Sequence, residues 1–103
     1  MALQKTKSTE VEAEREALAR ELTAEEGEAW AEKYRPGSFG CHELLDRTSR
    51  EMDSVDRYIR SHPACVADPE WFALADQAFS ALFELYQKVG SAHLVVESTL
   101  SAS

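Results

Sequence analysis

The sequence predicts an all-α fold, and three observations carry that prediction. Two stretches, 45–59 and 71–89, repeat mostly apolar residues at alternating spacings of three and four. That is the period of one helix face, not the strict alternation of a strand. Breakers stand around these stretches at Arg35-Pro36-Gly37-Ser38-Phe39-Gly40, His62-Pro63 and Asp68-Pro69, where helices stop and start. The N-terminal third is rich in Glu and Ala, both good helix formers. The expected architecture is a helical hairpin, about 41–61 and 69–89, packed with one or two N-terminal helices into a small helical bundle.

Bulk properties bound this picture. At 103 residues, 44% apolar and 29% charged, the chain has globular composition and the length of one domain. We place that domain at 9–97, between flexible ends at 1–8 and 98–103. A net charge of −8 disfavours phosphate backbones and anionic membrane surfaces, which need clustered Lys and Arg. No nucleic-acid or membrane partner is expected. The start, MALQKTKSTE, lacks the apolar core of a secretory signal. No apolar run nears the roughly 20 residues of a bilayer span. A cytoplasmic protein is the expectation.

Taken in order, Thr9 to Tyr34 carries a thin stripe of Val11, Leu18, Leu22 and Ala29, with Trp30 and Tyr34 to one side. Thr23 with Glu26 matches a capping box, and Gly27 weakens a continuous helix by about 1 kcal/mol. One bent helix or two short ones both fit. After the 35–40 turn, Gly40 as N-cap would make Phe39 and Leu44 a hydrophobic staple, with Glu43 at N3. Ser38 competes for the same role.

In the next helix Leu45, Thr48, Met52, Val55 and Ile59 form a seam, widened by Leu44 and Tyr58. Its other face pairs Glu43 with Arg47, Asp46 with Arg50, Asp53 with Arg57 and Asp56 with Arg60. Each pair is acid-first at i,i+4, the better orientation, so this face is expected to meet water. His62-Pro63 ends the helix.

Asp68 as N-cap and Pro69 at N1 open the last helix, with Gly90 at its C′ position. The tail from 91 is then a short turn or docked segment. Trp71, Ala75, Ala78, Leu82, Leu85 and Val89 are expected to face the preceding helix. Phe72, Phe79, Phe83 and Tyr86 form a second stripe that needs its own partner. The whole apolar arc is roughly 160° wide, beyond the roughly 100° of a one-sided surface helix. Either the N-terminal helix or a second copy of the chain would cover that stripe.

Candidate chemistry is sparse. The chain has no phosphate loop, dinucleotide fingerprint, CxxC, HExxH or GxSxG motif. His42-Glu43-Leu44-Leu45-Asp46 starts like a zincin helix, but Asp46 stands where the second His would be. Cys41 and Cys65 lie roughly 30 Å apart along a continuous helix, too far for a disulfide, so both are read as free thiols. The hairpin should bring His93 to Cys41 and His42, with Glu43, Asp46 and Glu97 in reach. Cys41, His42 and His93 are thus the candidate ligands for a zinc or iron ion, a thiol at a helix N-terminus beside two imidazoles. Against this, Glu43 and Asp46 have arginine partners, and His93 could cap the carbonyls of its own helix.

The run HELLDRTS, the His-Pro that follows its helix, Trp71 in the next helix and LYQKVG at that helix's end resemble small uncharacterised bacterial helical proteins. The resemblance spans roughly residues 38–93. It implies a bacterial cytoplasmic origin and brings no activity and no site residue with it. The function expected from the sequence is that of a non-enzymatic structural or protein-interaction module. The interface would be Phe72, Phe79, Phe83 and Tyr86, and the partner a second copy or another protein. Two alternatives stand beside it: a metal-binding protein using the Cys41, His42, His93 pole, and an acidic inhibitor or immunity-type protein that masks a basic partner.

Overall fold

The computed structural model describes the backbone of residues 2–102 and the side chains of residues 8–94. The segments expected to be flexible, 1–8 and 98–103, fall almost wholly outside those side chains. Every regular element among the described residues is helical. In order they are α1 (Ala2–Glu26), a 3₁₀ turn (Trp30–Tyr34), α2 (Phe39–Ser54), a π-helical segment (Val55–Arg60), α3 (Pro63–Val66) and α4 (Pro69–Ala102). Contacts divide the chain into two compact units, Met1–Lys33 and Tyr34–Ser103. The division falls inside the stretch read from sequence as one domain.

The first unit is α1 and the turn after it. Thr23 does not start a new helix. It lies inside α1, where its hydroxyl donates to the Ala19 carbonyl at 3.0 Å and accepts from the Trp30 indole N–H at 3.0 Å. Gly27 is what ends α1. Its φ is +96°, and its N–H donates to the Thr23 carbonyl at 2.9 Å, the single bond of a left-handed helix cap. The two-helix alternative resolves into one helix and a 3₁₀ turn. Arg15 pairs with Glu12 on the exposed surface. That hydrogen bond, more than the charge itself, holds the Glu12 carboxyl below the ordinary range.

The second unit is the hairpin. Gly37, at φ +90°, makes the turn into α2, and Ser38 is the N-cap. Its side chain accepts from the Cys41 N–H at 3.1 Å. Gly40 is therefore inside the helix, and Phe39 is 77% exposed, so the staple predicted for Phe39 and Leu44 does not form. All four predicted pairs are present: Glu43–Arg47 at 3.2 Å, Asp46–Arg50 at 3.2 Å, Asp53–Arg57 at 3.5 Å and Asp56–Arg60 at 2.6 Å.

The fourth pair forms but lies half-buried instead of in open water, because α2 changes pitch. Over Val55–Arg60 the helix becomes π-helical, with the Ser61 N–H donating five residues back to the Asp56 carbonyl at 3.1 Å. A wider turn delays the inward face by one residue. The predicted seam positions Tyr58 and Ile59 consequently point outward, 67% and 53% exposed, and Arg60 turns in. Its guanidinium binds Asp56 at 2.6 Å and Asp76 of α4 at 3.2 Å. It also lies over the rings of Phe79 (4.9 Å) and Phe72 (5.7 Å), within cation–π range. The hydrogen bond to Asp56, then the two carboxylate charges, hold Arg60 above its already high ordinary pKa.

His62 caps α3 by accepting the Ala64 N–H on Nδ1 at 3.0 Å, and Pro63 takes N1. Asp68 caps α4 as predicted, accepting the N–H groups of Glu70 and Trp71 at 3.0 and 3.1 Å. From there α4 runs past Gly90, which is not its C′ residue but a buried position in the middle of the helix. A Cβ at Gly90 would stand 3.5 Å from Leu45 Cδ1, so glycine here marks where α2 and α4 pack closely. The buried residues among those described in the hairpin are Cys41, Thr48, Ala75, Gly90 and His93.

Candidate functional site

The hairpin presents two places where residues converge. The first is its open end. Ser38 fixes the start of α2 and so the position of His42, while the continuation of α4 beyond Gly90 carries His93 across to it. The His42 and His93 rings lie 5.7 Å apart at 41°. His93 is 1% exposed, and its Nδ1 accepts the Gly37 N–H at 2.9 Å. An accepting Nδ1 carries no proton, so a neutral His93 in this bond has its proton on Nε2. A concavity of about 390 Å³ lies beside it, lined by Gly37, Ser38, Phe39, His42 and His93.

Of the three residues expected to converge, His42 and His93 are brought together. Among the described residues, no group of three or more His, Cys, Asp or Glu side chains is placed to hold a metal ion. Two reasons are visible. Cys41 is buried in the α2–α4 seam, and His93 spends Nδ1 on the backbone of Gly37 instead of capping its own helix. Glu43 and Asp46 are held by Arg47 and Arg50, and the Glu97 side chain lies outside the described residues. His93 thus works as a clasp between α4 and the turn at Gly37.

The second place is the closed end, where α3 joins the two long elements. The π-helical segment throws Tyr58 and Ile59 outward, and they meet Trp71 and Leu74 of α4 around a concavity of about 510 Å³. Its floor and rim include His62, Ala64, Cys65 and Ala75. Trp71 and Leu74 are each 57% exposed. Sequence reasoning missed this site, because an unbroken α-helical period places Ile59 and Trp71 in the intramolecular seam. The available signal was the large number of apolar residues on α4. Cys41 and Cys65 are both free thiols.

The four residues expected at an interface separate. Phe72, Phe79 and Tyr86 are half-buried, the first two beneath Arg60, so most of that stripe serves the hairpin itself. Phe83 is 42% exposed and stacks on Phe79 at 6.3 Å and 10°. In exchange, Trp71, Ala78 and Leu85, expected to face α2, are exposed.

No described helix is long and apolar enough to cross a membrane. In comparisons with protein-family models, curated proteins and solved structures, nothing matches this chain.

Proposed function

We propose that this chain is a non-enzymatic helical interaction module that acts by pairing with a second copy of itself. The observation that carries the reading is the group of large apolar side chains left in water around the closed-end concavity: Tyr58, Ile59, Trp71 and Leu74. Scattered exposed apolar residues are ordinary, but a contiguous group around a concavity marks an interaction surface. The chemistry of that surface supports binding over catalysis. Its one imidazole, His62, is committed through Nδ1 to capping α3, and its charged neighbours Asp56 and Arg60 are paired.

Sedimentation equilibrium of the purified protein tests the reading. A dimer is expected, converted to a helical monomer by Trp71→Glu. A protein that stays monomeric at high micromolar concentration overturns the proposal.

A further inference from the structure

We infer that the second copy docks antiparallel along α4, about a two-fold axis at the level of Phe79; this inference rests on the self-pairing reading above. Trp71, Leu74, Ala78, Ala81 and Leu85 recur at spacings of 3, 4, 3 and 4, the seam of a two-helix contact. All five are exposed, so α2 does not use them.

Three features along this seam are symmetric about one level. The concavity takes its α4 wall from Trp71, Leu74 and Ala75, on average about six residues before Phe79. Leu85, 42% exposed, lies six residues after it. An antiparallel partner therefore places its Leu85 over the concavity of the first copy, and the reverse contact forms by symmetry. A surface carrying both hole and knob at equal distances from one axis is self-complementary, as a closed two-fold interface requires.

The charges repeat the pattern. Glu70 lies nine residues before Phe79 and Lys88 nine residues after it, both on the flank of the seam. Antiparallel pairing sets each Glu70 opposite the other copy's Lys88. Lys88 keeps its within-helix pair with Glu84 at 3.1 Å and remains 76% exposed, open to a second carboxylate. A parallel two-fold pairing would instead put the two Glu70–Lys88 flanks on opposite sides of the interface, where they do not meet. Ala78 and Ala81 sit at the level of the axis, where the two helices approach most closely and small side chains permit it.

The test is a charge-exchange cycle followed by sedimentation equilibrium, with circular dichroism to confirm that each variant stays helical. Glu70→Lys or Lys88→Glu alone places like charges opposite each other twice, weakening dimerisation by about tenfold. The double variant restores opposite charges and is expected to return the dissociation constant to within a few fold of the parent. If Lys88→Glu loses helicity beside Glu84, the Glu70→Gln and Lys88→Gln pair supplies the same cycle, with non-additive losses expected. A dimer whose single variants are unaffected, or whose double variant adds the two losses, overturns the antiparallel register and leaves self-pairing intact. A monomeric parent protein removes both.

Discussion

Replacing Gly90 with alanine gives the sharpest test of the hairpin, because two readings of that residue predict opposite signs. In the structure Gly90 is an interior position of α4, and its φ is not positive. There glycine costs about 1 kcal/mol relative to alanine, since it loses more backbone freedom on folding. The added methyl would stand 3.5 Å from Leu45 Cδ1, an ordinary van der Waals contact, so the core need not move. Gly90→Ala is therefore expected to stabilise the protein by about 1 kcal/mol, raising Tm by roughly 5 °C for a domain of this size. Thermal and urea denaturation followed by circular dichroism at fixed protein concentration would measure it. Gly90 packs toward α2, away from the Trp71–Leu85 seam, so self-association should not confound the result. Were Gly90 a left-handed C′ residue, alanine would be strained and the protein would lose about 1 kcal/mol. A destabilised Gly90→Ala variant would refute the continuous α4.

Two further outcomes follow from the same geometry. His93→Phe keeps an aromatic ring but removes the acceptor of the Gly37 N–H, leaving that donor unsatisfied at a cost of about 1–3 kcal/mol; urea unfolding at neutral pH reads it, and His42→Ala, at an exposed position, should change little. Arg60→Ala should lower Tm more than Arg57→Ala, because Arg60 joins Asp56 to Asp76 across the hairpin whereas Arg57 makes a single exposed pair with Asp53. Equal losses from these two would argue against the inward turn of Arg60.

Much of the hairpin was legible because its signals are local. Asp68-Pro69, His62-Pro63 and the acid-first pairs on α2 act over four residues or fewer, and the structure places them as the sequence reads. What stayed open or was misread has a different origin. Ser38 and Gly40 are both competent caps, and only the observed bond to the Cys41 N–H separates them. Gly27 and Gly90 are the same residue type, yet one ends a helix at positive φ and the other lies buried inside one, facing Leu45 of another helix. His42 and His93 meet as read, but the bond from Gly37 to His93 joins residues 56 apart in sequence and has no local signature.

The sequence alone therefore determined that the chain is helical, that breaks fall at 35–38, 61–62 and 67–68, and which residue types line each helix, since propensity, capping and period are properties of short segments. The tertiary structure decided which face of α4 is inside. A single π-helical turn after Ser54 shifts the inward face by one residue, so that Arg60 reaches Asp76 and the rings of Phe72 and Phe79. Tyr58 and Ile59 turn outward to frame a concavity with Trp71 and Leu74. No local pattern announces that change of pitch, because which side of a helix is buried depends on what packs against it.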